Sequence, residues 1–258
     1  MAAAAALSGV QLQPLAGARG ALDPKAITAA VRPPDEHNPP ATLLCLENTH
    51  NRAGGAIVAF EALEGAAGAA RERGLRVHLD GARLWNASVA TGIPIARYAA
   101  LADTLMMCFS KGLGAPVGSI LAGDRQTITA ARRYRKMFGG GIRQGGILAA
   151  ACLHALDRHV DRLAEDHRLA RRLADHVRAV PGLSLYLPVE TNIVYFEVRT
   201  PGGTAEAVVR ALRERGIRVC EYGPTTVRAV THLDVDEAGV ERAGEALRGL
   251  ATSPAVRS

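Results

Sequence analysis

The sequence predicts an α/β protein, with a mainly parallel sheet in its first part and a smaller α+β unit after it. Two observations carry this. Short apolar runs alternate with helical patterns through the first part, the rhythm of strand–helix–strand units and parallel pairing. A long helical stretch then leads into a compact succession of strand, turn, helix, two strands and a final helix. Residues 1–160 are read as the larger unit and 161–258 as the smaller one.

In chain order, strands are expected at 10–15, 42–46, 76–79, 104–109 and 119–122, each an apolar run bounded by polar or turn residues. Asp23 and Pro24 open a helix: the carboxylate caps a free N–H, and proline fits the first turn, where its missing donor is not needed. A helix at 60–73 ends at Gly74, in the position where a left-handed residue closes the last turn. From 144 to 180 Leu148, Leu153, Leu156, Val160, Leu163, Leu169, Leu173 and Val177 follow helical spacing, stopped by Pro181-Gly182. A strand at 192–199, a Gly202-Gly203 turn, a helix at 204–215, strands at 218–222 and 226–231 and a helix at 236–250 complete the chain. There is no internal repeat.

The 258 residues are 48% hydrophobic and 22% charged, an ordinary globular composition. No uncharged apolar run approaches the roughly 20 residues that a bilayer span needs. The net charge is +6. Its basic residues alternate with acids, as in Arg71-Glu72-Arg73 and Arg213-Glu214-Arg215, and only 4% of residues are aromatic, which argues against nucleic-acid binding. Cys45, Cys108, Cys152 and Cys220 show no paired ligand spacing, so buried free thiols in a reducing compartment are expected, with no structural zinc. The opening MAAAAALSGVQL lacks a charged n-region and a cleavage site, and Arg19 is its first basic residue. Cytosol is the expected compartment, and a mitochondrial leader has only weak support.

Chemistry concentrates at two strand ends. Ser110-Lys111-Gly112 follows the run 104–109. A lysine at the end of a buried strand is desolvated, which favours the free amine that attacks an aldehyde. The chain has three lysines, Lys25, Lys111 and Lys136, and arginine cannot take that role. A surface lysine that happens to follow a strand is the alternative, and spacing alone does not separate the two. Asp80 ends the strand at 76–79 and is followed by Gly81-Ala82-Arg83. A carboxylate there can hold a pyridinium nitrogen protonated, or it can simply cap an Asp-Gly turn. No dinucleotide or triphosphate glycine motif occurs.

The stretches 44–51, 78–83, 110–119 and 135–144, with 227–232 near the end, are collinear with those of a known family from about residue 7 to 250. In them the chain resembles the low-specificity L-threonine aldolases, fold-type I enzymes that use pyridoxal 5′-phosphate (PLP). The resemblance implies a PLP-dependent lyase that splits L-threonine or L-allo-threonine into glycine and acetaldehyde. By position, Lys111 would carry PLP, Asp80 would meet its ring nitrogen, and Ser110 would be a further cofactor ligand. Arg83 would lie near the ring oxygen and the substrate carboxylate, and Arg228 would bind that carboxylate. His50 would handle the substrate β-hydroxyl, or only orient a water or cap a loop. Lys136 and Arg143 would reach the phosphate of a neighbouring subunit, which implies a homo-oligomer, usually a tetramer.

Residues 7–33 match a region well inside the family's larger domain. The family's starting helix, serine-glycine-threonine phosphate loop and ring-stacking histidine have no counterpart upstream of Leu7. The expectation is a truncated larger domain with an exposed sheet edge and weakened PLP binding. Two alternatives stand beside the aldolase: a non-catalytic fragment that associates with an intact relative, and another PLP reaction such as β-elimination or transamination.

Overall fold

A computed structural model describes residues 3–33 and 35–250. The chain runs α1 (Ala3–Ser8), α2 (Pro24–Ala30), β1 (Leu43–Glu47), a 3-10 turn at Asn51–Ala53, α3 (Phe60–Glu72), β2 (Arg76–Asp80), α4 (Leu84–Thr91), α5 (Ile95–Ala99), β3 (Thr104–Cys108) and β4 (Ser119–Gly123). It continues with α6 (Arg125–Met137), α7 (Gly145–His159), α8 (Leu163–Arg178), β5 (Leu183–Leu185), β6 (Ile193–Val198), α9 (Ala205–Glu214), β7 (Cys220–Glu221), β8 (Thr226–Val230) and α10 (Glu237–Arg248). No helix among the described residues is long and apolar enough to cross a membrane.

The first sheet has the order β1-β2-β3-β4, with β1, β2 and β3 parallel and β4 antiparallel to β3. Leu44, Leu46, Val77, Leu79 and Leu105 are buried in it. α3 covers this core with Leu63, Ala66, Ala67 and Ala70, small side chains that let a helix lie close. Register sets Glu47 beside Asp80 and Asp80 beside Met106. The carboxyl ends of three neighbouring strands therefore finish nearly level, the place where open α/β sheets carry their sites.

The second sheet is antiparallel, in the order β5-β6-β8-β7. Val194, Phe196, Val227 and Ala229 pack there with Leu169, Leu173 and Val177 of α8, Val208 and Leu212 of α9, and Val240 and Leu247 of α10. Thr204 and Asp236 cap the last two helices, accepting from the N–H groups of Ala207 and Gly239. Asp23 caps α2 in the same way, and Gly74 follows α3 in the left-handed conformation.

Four expectations need correction. Residues 10–15 are not a strand. A strand exists only where a neighbour takes up its N–H and C=O groups, and no strand lies beyond β1 or β4 among the described residues. The helix expected at 144–180 is two helices. His159 ties the end of α7 to Leu113 O (2.7 Å), and Leu163 then buries itself against Gly112. Both helices keep one apolar spacing, so periodicity cannot show the break. The strand expected at 218–222 shortens to Cys220–Glu221. The thiols are free but not uniformly buried: Cys45 and Cys220 are exposed. Every residue of β4 is exposed, Ile120 to 44% and Leu121 to 39%, and α6 has no buried residue.

α4 and α8 bring the two parts together through His167, whose Nε2 is 2.9 Å from Asn86 Oδ1, both residues buried. Burial, with a smaller contribution from Arg171, pushes the His167 pKa down to about 4. The ring is neutral in the fold, whereas in the unfolded chain it protonates near pH 6.5. As pH falls from about 6.5 towards 4 the unfolded state binds the proton first, so stability is full above that window and declines through it. The loss is roughly 3 kcal/mol at about 1.4 kcal/mol per pH unit. His167→Gln keeps a donor for Asn86 and removes the titration. Urea unfolding of this variant should show a visibly smaller loss between these pH values than wild type, and an unchanged profile would place the acid sensitivity in another group.

Candidate functional site

The candidate residues gather where β1, β2 and β3 end. After Glu47 the chain makes a tight loop in which His50 precedes the 3-10 turn. His50 Nδ1 accepts from Ala53 N (3.2 Å), so the neutral ring carries its proton on Nε2. Nε2 in turn faces the Glu47 carboxylate at 3.8 Å. Gly20 presses on the imidazole: a Cβ there would lie 2.6 Å from the ring. Both ring nitrogens thus have neighbours within the loop, a geometry suited to capping and orienting.

At the end of β2, Asp80 Oδ1 accepts from Ala82 N (3.0 Å), so the carboxylate does cap its turn. Its second oxygen has no hydrogen bond among the described residues. Gly81 is required, since a Cβ would stand 2.7 Å from Leu105 Cδ1 and 2.8 Å from Met106 O. Arg83, just before α4, is half-buried. Burial, and then the like charge of Arg228, hold its pKa below the ordinary arginine value, while Glu47, Cys108 and Tyr195 act the other way.

Beyond β3, Phe109 N donates to Gly118 O and Gly114 N to Lys111 O, closing a compact loop around residues 110–118. Ser110 and Lys111 are exposed. The desolvation expected for a lysine at a buried strand end is therefore absent, because the backbone turns outward straight after Phe109. The Lys111 amine makes no hydrogen bond or ion pair among the described residues.

The second sheet supplies Arg228, whose Nη2 donates to Asn51 Oδ1 (3.3 Å) while its Nε is buried without a partner. Tyr195 stands opposite Arg228 in the β6–β8 register. The loop after β1 is clamped to the second sheet by Thr191 Oγ1 donating to Gly55 O (2.8 Å), and by Glu190, which accepts from Ile57 N (2.7 Å) and pairs with Arg19.

His50, Asp80, Arg83, Ser110, Lys111 and Arg228 thus lie at or face the level strand ends. Lys136, in the last turn of α6, and Arg143, in the loop beyond, are exposed and bond to none of the others among the described residues. Glu47, Asn51 and Tyr195 belong to the site, yet the sequence assigned them no role. Glu47 and Asn51 sit inside the stretch 44–51, so their place at a strand end was a usable signal; Tyr195, inside an apolar strand, offered none. Two surface depressions, of about 520 and 370 Å³, lie along α2 and α3 and beside α6, and neither includes a candidate residue.

The arrangement offers an unpaired amine, a carboxylate with one free oxygen, and two guanidiniums near each other with a buried, unpaired N–H. Two arginines that repel each other are stabilised by an anion placed between them, and a planar carboxylate matches the arginine fork.

The sequence pattern of the beta-eliminating lyase family matches residues 1–201. The low specificity L-threonine aldolase of Escherichia coli (strain K12) is 42% identical over 233 residues, covering 90% of this chain and 67% of that protein. Low-specificity L-threonine aldolase 1 of Arabidopsis thaliana is 38% identical over 225 residues, covering 86% of this chain and 63% of that one. The chain thus spans less than two thirds of the plant relative's length. In fold it superposes on the threonine aldolase of Leishmania major with a TM-score of 0.75 at 21% identity, covering 91% of this chain and 68% of the other.

The Gly54-Gly55 crossing under the second sheet can be tested. Gly55 has φ +71°, and a Cβ would stand 2.6 Å from Thr191 Oγ1. Gly74 has a similar φ of +73° with nothing within 4 Å. Gly74→Ala should cost only the left-handed conformation, about 1–2 kcal/mol, whereas Gly55→Ala adds a steric cost of about 1–3 kcal/mol. Urea unfolding of both variants checks the order, and equal losses would show that the loop yields without resistance.

Proposed function

The chain belongs to the beta-eliminating lyase family, and on that premise we propose that it is a PLP-dependent lyase of the threonine aldolase type. It would cleave L-threonine or L-allo-threonine to glycine and acetaldehyde. The observation that carries this reading is that Asp80, Arg83 and the Ser110-Lys111 turn follow neighbouring strand ends of the first sheet, with Arg228 of the second sheet close enough to Arg83 for their like charges to be felt.

The residues fit the cofactor at its reactive end. Lys111 has a free, accessible amine for the aldehyde. Asp80 keeps one carboxylate oxygen unpartnered, the acceptor that a protonated ring nitrogen needs. The orphaned Arg228 Nε and the adjacent Arg83 fit a carboxylate. When bound, PLP supplies a conjugated ring that takes up the electron pair of the broken Cα–Cβ bond. The chain's own residues do the rest. Arg228 and Arg83 hold the amino-acid carboxylate and fix which bond at Cα stands to be broken. Asp80 would hold the ring nitrogen protonated, the charge on which that acceptor character depends. His50, fixed through Nδ1 by Ala53 N, would use Nε2 to orient the β-hydroxyl or a water beside it. Lys111 would hold the cofactor aldehyde through its accessible amine.

The division into 1–160 and 161–258 supports this reading, with the smaller unit delivering Arg228. The uncovered β4 and the exposed Tyr134, Met137, Phe138 and Ile142 favour an assembly of several copies. In it Lys136 and Arg143 would face a neighbour's phosphate. A cytosolic role in threonine breakdown and glycine formation completes the proposal. A non-catalytic chain paired with a longer relative is the second reading, favoured by the same open edge.

Borohydride treatment of the PLP-loaded chain should fix the cofactor on the peptide containing Lys111, and Lys111→Ala should abolish both this label and glycine release. Acetaldehyde should appear from threonine, whereas pyruvate from serine as the main product would point to elimination. A chain that takes up no PLP would leave the non-catalytic reading.

A further inference from the structure

We propose that Asn51 and Tyr195 form a positioning pair that holds the Arg228 guanidinium for the substrate carboxylate. This rests on the reading of the site as an amino-acid site and adds two residues to it.

Asn51 is fixed at its backbone and free at its tip. Its N–H donates to Glu47 Oε1 (2.9 Å), and its carbonyl accepts from Gly54 N (3.1 Å). The same carbonyl faces the Tyr195 hydroxyl at 3.4 Å. That leaves Oδ1, which accepts from Arg228 Nη2. Tyr195 and Arg228 are direct partners across β6 and β8, so their side chains leave the same face of the sheet. One residue from the turn after β1 therefore bridges two cross-strand neighbours of the second sheet, meeting the tyrosine with its main chain and the arginine with its side chain.

Each half of the bridge has a physical reason. Tyr195 is 1% exposed and packs edge-on against Tyr222, with ring centroids 4.7 Å apart. Burial and the Tyr222 hydroxyl push its phenol pKa well up, so it stays a neutral donor. Arg228 feels the like charge of Arg83. Without an acceptor on its inner side, the guanidinium would swing towards water and carry its Nε–H out of the site. Asn51 supplies that acceptor without a charge. A carboxylate in its place would neutralise the arginine and compete with the substrate. Asn51 takes one N–H of the fork and leaves Nε free, and a buried unpaired donor is costly until a ligand accepts from it.

The test uses the PLP-loaded full chain. Tyr195→Phe should raise KM for threonine by about 3–10-fold and Asn51→Ala by more, with kcat within about twofold, as for a lost binding contact. A second readout does without turnover. The NMR signal of the Arg228 Nε–H group, identified by its loss in Arg228→Lys, should shift on titration with glycine. Its half-saturating glycine concentration should rise by the same factors. Unchanged KM and unchanged glycine titration in the variants would overturn the pair's role while leaving the amino-acid site intact. A wild-type signal that ignores glycine would overturn both. If Asn51→Ala does not fold, Tyr195→Phe, which removes one oxygen, decides alone.

Discussion

The site depends on one crossing, where the loop between β1 and α3 passes beneath the second sheet. Gly54 and Gly55 make it possible. A side chain on Gly54 would press on Leu187 and Tyr195, and one on Gly55 would meet Thr191 and Ile193. Two adjacent left-handed residues without side chains let the backbone touch the other sheet directly, and Thr191 and Glu190 bond it there. The same contact brings Arg228 over strand ends that belong to residues far earlier in the chain. If the loop stood even a side chain's width away, Arg228 and Arg83 would no longer share a ligand.

Charge makes this crossing functional. Glu47, Asp80, Arg83 and Arg228 lie close together in a partly desolvated corner, and interactions between charges there are worth several times what they are in water. The two arginines repel, and Glu47 offsets part of that repulsion from the end of β1. An amino-acid carboxylate held between the two guanidiniums, as proposed, would relieve the repulsion that is left. Under the proposed function, binding energy would then be available at the end of the substrate that does not react. That is where such energy is useful, because it can orient Cα without favouring the bound ground state at the bond to be broken.

Much of the scaffold was legible because it follows local rules. The runs that became β1 to β4 are apolar and bounded by turns, and Asp23, Thr204 and Asp236 cap the helices they precede. Residues 10–15 carry the same pattern without becoming a strand, since pairing is a property of the neighbour and not of the segment. The split between α7 and α8 was hidden for a related reason: His159 and Leu163 answer to the loop around Lys111, not to their own helix. Roles for Lys111, Asp80, Arg83 and Arg228 were expected from collinear stretches. Asn51 and Tyr195 acquire their roles only from a contact between residues 144 positions apart, and no spacing within either strand encodes it. The exposure of Lys111 could not be read either, because it depends on how the chain turns after Phe109.

The placement of the strong groups also bears on selectivity. In the proposed function the two arginines would recognise a carboxylate, and Lys111 and Asp80 would serve the amine and the cofactor ring. These groups act on features that all α-amino acids share. Discrimination between threonine and allo-threonine must come from contacts with a single methyl group on Cβ, and a hydrophobic contact of that size is worth only about 1–3 kcal/mol. Around the β-carbon the described residues offer His50, held by Ala53 and Gly20 within its own loop, and no tight apolar wall among the candidate residues. A chain that invests its geometry in the carboxylate and leaves the β-substituent to one imidazole should distinguish amino acids from other ligands sharply, and the two β-epimers weakly.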